Sequence, residues 1–384
     1  MNVDFKSEIG SLAEWEGGPC STIMIATHRT GREVSGDPIR YRNQLRRAQE
    51  QLATRGLRGA KALRFLDPAS RLLEDPFFWE HQDEGLAVFA CPEWSRHFCI
   101  PYTLPEISIV QDRPYLVPLF PLLGAEDVFY ILATSQTKTR LLKGSRYHIQ
   151  DRPLEVVGIN EALGNEPREE HLQFHTAAPS GARGQGTIYH GQGGPSEEAK
   201  ERLLSYFRMI DDSVSQVIVN GPAPTPLILA MVDYLQPIYR QASKYKNILT
   251  DGINGNPDDL GENALHQAAW NIVAQSSLQP QREAIATYLR LAGSGHTSSD
   301  ITEILRAAHE GRVANLFMSK VIQQWGVFDS ETSATLLLGD APGHIGEELL
   351  NLAAIQTFLR GGQVYTLEVE QTFGESPLAA VFRY

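Results

Sequence analysis

The stretch Gly184-Gln185-Gly186-Thr187-Ile188-Tyr189-His190-Gly191-Gln192-Gly193-Gly194 runs within a few residues into a periodic segment in which Ala199, Leu203, Phe207, Ile210, Val214 and Val217 recur at helical spacing. Ser196 suits the N-cap of that helix, and Glu197 and Glu198 suit the positive end of its dipole. Glycines flanking a glutamine allow backbone angles closed to other residues, so the chain can approach a ligand closely. A glutamine amide offers two donors and an acceptor and does not ionise, so it can orient a water or hydroxyl for attack on an ester but cannot act as a strong base. Taken alone, the stretch also reads as a glycine-rich connector with solvated glutamines. From Asn160 to Pro195 the sequence is polar and without periodicity, and a loop of that length is expected to be functional or disordered.

Outward from this loop, Val128–Ala133 and Lys138–Leu142 read as a hairpin, with a third strand near Tyr147–Ile149. Beyond the long helix, Leu227–Val232 reads as a buried strand, Tyr234–Ala242 as a short helix and Asn247–Thr250 as another strand. This order predicts a mixed sheet covered by helices. The proline-rich passage from Arg113 to Gly124 and the Gly/Asn/Asp run Asp251–Asp258 punctuate the chain, giving units 1–124, 125–256 and 257–384 with the loop at 160–195. In the first unit, the apolar run Cys20–Ala26 is followed by a helix opening at Asp37-Pro38 and striped by Tyr41, Leu45, Ala48 and Leu52. A second helix at about Lys61–Leu73 and strands at Gly85–Ala90, His97–Ile100 and Ile107–Val110 make this unit α+β. The last unit reads as α/β, with helices at about Glu262–Gln275, Gln281–Ala292, Ser298–Glu310 and His344–Arg360. Its strands are expected at Val313–Phe317, Val364–Leu367 and Leu378–Phe382, with a further segment at Thr335–Leu338.

With 384 residues, 42% of them hydrophobic, each unit can bury its own core. Three cysteines (Cys20, Cys91, Cys99) and no CxxC pair exclude a disulfide framework and a zinc ribbon, and point to a reducing, cytoplasmic setting. The N-terminal residues lack the basic, apolar, small-residue succession of a signal peptide, and no stretch approaches a membrane span, so no membrane partner is expected. Phosphate-binding, dinucleotide, zincin and nucleophile-elbow signatures are absent, and no cofactor is expected. His171 and His175, with Glu169, Glu170 or His190, could hold a metal if helical; two polar histidines in a loop is the plainer reading, and no metal is assigned.

A net charge of −12 disfavours indiscriminate binding to nucleic acid. The charge is uneven, however. Between Arg29 and Arg71 eleven Lys/Arg face four Asp/Glu, a net +7, which leaves −19 for the remainder. Such a segment can meet phosphates, or can be a solvated helix face with internal ion pairs.

The three-part layout, with a Gly-Gln loop leading into a long middle helix, resembles the archaeo-eukaryotic class I peptide release factors. It is more closely similar to their bacterial branch, the bacterial archaeo-eukaryotic release factors, and to the third family of these. Further stretches carry the resemblance: Thr27–Glu33 with Asp37–Arg40, Phe77–Gln82, Leu86–Phe89, Leu350–Ile355 and Pro377–Tyr384. The resemblance implies an RNase H-like middle domain whose mobile loop promotes hydrolysis of peptidyl-tRNA on the ribosome. It also implies a C-terminal α/β domain like the kink-turn-binding ribosomal proteins, serving a protein partner. Carried over, Gln192 is the water-orienting glutamine and Gly191 and Gly193 its flanks, with Gln185 and His190 as further candidates. His28, Arg29, Arg32, Arg40, Arg42, Arg46 and Arg47 become candidates for contact with ribosomal RNA or tRNA.

The chain departs from the family in places. His190 stands where the family has the leading glycine of Gly-Gly-Gln. A literal Gly361-Gly362-Gln363 lies between a helix and a strand and reads as a helix cap. The Asn-Ile-Lys-Ser and Tyr-x-Cys-x-x-x-Phe motifs are absent, so the resemblance does not extend to stop-codon reading. A ribosome-associated or stress-related binding protein that keeps the fold without the hydrolysis is the alternative. A metal-dependent hydrolase using the histidine-rich loop is a weaker one.

Overall fold

The apolar run at the start becomes the centre of a four-stranded antiparallel sheet. The computed structural model describes residues 5–124, 128–154, 156, 158–159, 197–218, 225–338, 346–367 and 376–384. The N-terminal elements are α1 (Phe5–Ala13), β1 (Cys20–Ala26), α2 (Asp37–Thr54), α3 (Ala60–Ser70), α4 (Pro76–Glu80), β2 (Gly85–Ala90), β3 (Ser95–Ile100) and β4 (Ile107–Gln111), in sheet order β3-β2-β1-β4. The expected stripe Tyr41, Leu45, Ala48 and Leu52 faces Ile23, Ile25, Leu86, Val88 and Val110 on one side of this sheet. Burying each such side chain is worth roughly 1.5–3 kcal/mol. Gln51 covers the open edge of β4, donating to Ser108 O at 2.7 Å and accepting from Val110 N–H at 2.9 Å.

The middle elements are β5 (Phe129–Thr134), β6 (Thr139–Gly144), β7 (Ile149–Arg152), α5 (Glu197–Val217), β8 (Leu227–Met231), α6 (Leu235–Ala242), β9 (Ile253–Asn254) and α7 (Glu262–Ser277). The sheet order is β7-β6-β5-β8-β9, with β6 antiparallel to its neighbours and β5, β8 and β9 mutually parallel. The sheet is mixed and covered by helices, as the order of its elements predicts. Alternate residues of the strands feed two cores: Leu132, Leu141 and Leu229 meet Phe207, Ile210 and Val214 of α5, while Ile131, Leu142 and Ile228 meet Leu265, Ala269 and Val273 of α7. Burial on both faces is why β5 and β8 are continuously apolar, with no alternation to read.

Two expectations change here. Asn247–Thr250 is not a strand but forms a single bridge through Ile248 to Leu227; the edge strand is β9, inside the run read as a linker. Helix α7, which the boundary at 257 assigned to the last unit, packs on the middle sheet instead. The punctuating residues were real, but the chain uses them to turn from one face of the sheet to the other.

The C-terminal elements are α8 (Gln279–Leu291), β10 (Thr297–Ser298), α9 (Ile301–His309), β11 (Val313–Ser319), β12 (Trp325–Asp329), β13 (Ala334–Leu337), β14 (Glu347–Glu348), α10 (Leu349–Leu359), β15 (Gln363–Leu367) and β16 (Leu378–Phe382). They form a sheet of order β10-β16-β11-β15 and a small one of order β13-β12-β14. The chain divides into two compact units, Asp127–Ser276 and a discontinuous one made of Met1–Glu126 with Ser277–Tyr384.

Helix α10 shows why the two ends fold together. Leu349 to Ile355 are all buried, so the first two turns of α10 have no solvent face and must be covered on every side. Its buried Asn351 donates to Pro114 O at 3.0 Å and accepts from Leu116 N–H at 2.7 Å. Glu348, also buried, caps α10 by accepting from Asn351 N–H at 2.7 Å and from Gln324 N–H at 2.9 Å, while its own N–H donates to Gln111 Oε1 at 2.9 Å. Burial outweighs these bonds and pushes the Glu348 carboxyl up to about 7. Arg55 and Arg113 add contacts across the same junction, to Gly346 O at 2.8 Å and to Glu347 at 3.3 Å.

Candidate nucleic-acid interface

Helices α2 and α3 form one layer on the sheet, pinned together where Tyr41 Oη donates to Ala69 O at 2.9 Å. Because the apolar stripe of α2 is spent on the sheet, its arginines occupy the outer side. The structure separates the seven cations expected to meet RNA into two sets.

His28, Arg29 and Arg40 are tied into carboxylates where β1 ends. Asp37 is fully buried; it accepts from His28 N–H at 2.9 Å, lies 3.0 Å from His28 Nδ1 and pairs with Arg40. Glu33 lies 3.0 Å from His28 Nε2 and Glu106 lies 3.7 Å from Arg40. Arg29 donates to Asp83 at 2.7 Å and lies 3.5 Å from Glu84. Asp37 opens α2 as the sequence suggests, but its carboxylate fastens the preceding turn and makes no cap bond to its own helix, whose N-cap residue is Gly36.

Arg32, Arg42, Arg46 and Arg47 remain on the outside. Arg32 and Arg42 are exposed and have no carboxylate partner among the described residues. Among the described residues Arg46 has only the exposed i,i+4 contact to Glu50 at 3.5 Å, which costs little to break, and Arg47 reaches only Gln44, at 3.5 Å. On α3, Lys61 and Arg64 are exposed one turn apart with no carboxylate partner among the described residues. The charge count along the sequence included these two cations but did not single them out; the signal was their i,i+3 spacing opposite Ala62, Leu66 and Ala69.

Gln192, Gly191, Gly193, His190 and Gln185 lie outside the described residues, as do Ser196 and the proposed metal ligands Glu169, Glu170, His171 and His175. Among the described residues no group of three or more His, Cys, Asp or Glu could hold a metal ion, and no helix is long and apolar enough to cross a membrane. The literal Gly361-Gly362-Gln363 is described, and it is a helix end. Gly361 has φ +73°, its N–H donates to Phe358 O at 3.0 Å, and Gly362 N–H donates to Thr357 O at 2.8 Å. A Cβ on Gly362 would come within 2.7 Å of Val313 O, so the glycines are there for packing, and Gln363 opens β15.

Residues 128–312 match the model of the bacterial archaeo-eukaryotic release factor family 3. No curated protein matches the chain. Among solved structures, an archaeal translation termination factor, aRF1, aligns at 13% identity over 99% of this chain and 97% of its own, with a TM-score of 0.26. Dom34 of S. cerevisiae, a translation termination-like factor involved in RNA quality control pathways and interacting with Hbs1, aligns at 9% identity over 78% of this chain and 79% of its own, with a TM-score of 0.35. Archaeal Pelota, bound to a ribosome with ABCE1, aligns at 10% identity over 99% and 94%, with a TM-score of 0.35.

Proposed function

We propose that this chain is a cytoplasmic, ribosome-directed factor of translation or ribosome rescue that promotes hydrolysis of the peptidyl-tRNA ester, with Gln192 orienting the attacking water. The observation that carries the reading is one of placement. Residues 184–194 fall between β7, which ends at Arg152, and α5, which begins at Glu197, inside the span that matches the release-factor family. The water oxygen would add to the ester carbonyl, the bond to the tRNA ribose oxygen would break, and that oxygen would take the proton. A glutamine serves by positioning, since it neither gains nor loses a proton in the step. The outer cations Arg32, Arg42, Arg46, Arg47, Lys61 and Arg64 supply the grip on RNA phosphates, because His28, Arg29 and Arg40 are already committed to carboxylates. The β12–β13 hairpin exposes the cross-strand pair Val327 and Leu336, and this is the face we assign to a protein partner.

The test is peptide release from stalled ribosome complexes by the natural chain and by Gln192→Ala. A loss of about a hundredfold is expected, the scale set by misplacing a reacting group. Unchanged release by the variant would overturn the role of Gln192. His190, standing where the family has glycine, favours a second reading in which the chain binds ribosomes without hydrolysis; co-sedimentation with ribosomes and no release would support it.

A further inference from the structure

The hairpin of β12 and β13 is firmly built, yet it leaves apolar side chains in water. Asp329 fixes its tip by accepting from Glu331 N–H at 2.9 Å, from Thr332 N–H at 3.3 Å and from the Thr332 hydroxyl at 2.6 Å. Gly326 lies under Leu349 of α10, where a Cβ would come within 2.5 Å of that side chain, and Phe328 meets the His309 ring of α9 edge to face. Alternate residues of a strand share a face, so the side bearing Gly326 and Phe328 is turned to α10 and α9. On the other side Val327 and Leu336 stand opposite each other, 37% and 62% exposed.

The outer edge of β13 is open as well, since among the described residues β13 pairs only with β12. Leu338 N–H donates to Trp325 O at 2.8 Å, which sets the alternation of the antiparallel ladder and makes Leu336 and Ala334 the residues bonded to β12. The backbone N–H and C=O groups of Thr335 and Leu337 therefore point away from the sheet. Edges are commonly guarded by charge, proline or a bulge, and Ala334-Thr335-Leu336-Leu337 carries none of these. The surrounding charge is of one sign. Residues 321–359 hold five Asp/Glu and no Lys or Arg. Glu348 is buried and Glu347 pairs with Arg113, whereas Asp329 and Glu331 are exposed at the hairpin tip with no cation partner among the described residues. An acidic tip beside an apolar open edge repels phosphates and suits a basic polypeptide. We infer that β13 is the docking edge for an extended, basic protein segment, which adds to the sheet as a further strand. Its main chain bonds to Thr335 and Leu337, its apolar side chains lie beside Leu336, and its lysines or arginines meet Asp329 and Glu331. The inference deepens the protein-partner face proposed above and rests on that reading only for there being such a partner.

The test uses the full chain and a labelled synthetic peptide of about eight residues, long enough for a strand of ordinary length, with alternating threonine and valine at its centre and lysines at each end. Fluorescence anisotropy should show binding that weakens roughly tenfold in Thr335→Pro, the scale of a lost bond and a blocked edge. Thr335 N–H faces outward and its hydroxyl has no partner among the described residues, so proline there removes no bond of the hairpin and the urea transition of the discontinuous unit should stay in place. Leu336→Lys keeps every backbone group at an exposed position and should weaken binding to a similar degree. A peptide with glutamates in place of the lysines should bind roughly tenfold more weakly at low salt, and one N-methylated at its central residues should not bind. Failure of the natural chain to bind the lysine peptide would overturn the inference, as would affinities for both variants within twofold of the natural chain. So would equal binding of the glutamate peptide, displacement of the peptide by a uridine oligonucleotide, or self-association of the chain that Thr335→Pro abolishes. A chain that binds the lysine peptide through β13 but neither sediments with ribosomes nor releases peptide leaves this inference standing and overturns the ribosome-directed reading; ribosome binding without peptide binding does the reverse.

Discussion

Replacing Asn351 with alanine removes one amide that serves two buried backbone groups. Leu116 N–H, 2.7 Å from Oδ1, and Pro114 O, 3.0 Å from Nδ2, have no water to turn to, since Asn351 and Leu116 are both fully buried. An unsatisfied buried group costs about 1–3 kcal/mol, so the two together should cost about 4 kcal/mol. That is a large part of the roughly 5–15 kcal/mol by which a domain is stable. Urea unfolding separates the two units, because Trp15, Trp79, Trp94 and Trp325 lie in the discontinuous unit and only Trp270 lies in the other. The unfolding transition of the discontinuous unit should move to lower urea, with that of Asp127–Ser276 unchanged. Hydrogen exchange should show β1–β4 and α10 losing protection together, because they unfold as one body. A loss below about 1 kcal/mol, the low end for a single unmet bond, would refute the reasoning, as would α10 opening while the N-terminal sheet stays protected.

Glu348 makes the same junction sensitive to pH. Its folded carboxyl, at about 7, lies above the unfolded value of 4.5, so the native state holds a proton that the unfolded chain releases. The resulting stability is full below about pH 4.5 and lost as pH rises through about 7, a change of about 3 kcal/mol for this group, and Glu348→Gln should flatten it in a urea titration across pH. Gln363→Ala should leave peptide release unchanged, in contrast to Gln192→Ala, whereas Gly362→Ala should destabilise the discontinuous unit by roughly 1–3 kcal/mol through overpacking against Thr357 and Val313. Lys61→Ala with Arg64→Ala should lower the salt dependence of RNA binding by up to about 0.9 in log–log slope for each phosphate no longer neutralised; an unchanged slope would remove α3 from the interface.

Much of this protein is local and could be read from the chain. Cys20–Ala26, the stripe of α2, the periodic helix Glu197–Val217 and the apolar strands Leu227–Met231 and Leu378–Phe382 stand where periodicity and run length place them. The cap at Gly361 was equally legible, since a glycine after an apolar helix has a local cause. The edge strand β9 was not, because two residues pair only through their neighbour β8 and carry no pattern of their own. The allocation of α7 and the fate of the basic segment were hidden for a related reason. A helix stripe shows that a face is buried but not which sheet buries it, and a count of charges does not show which cations meet a carboxylate.

The sequence by itself determined the elements, the placement of the Gly-Gln stretch ahead of a long helix, and a +7 segment in an acidic chain, because each depends on residues close in sequence. Only the tertiary structure decided that His28, Arg29 and Arg40 are neutralised while Arg42, Lys61 and Arg64 face outward, and that the two ends share α10. These outcomes depend on side chains up to 291 positions from their partners, as in the Arg55–Gly346 bond, and no spacing rule along the chain reaches that far.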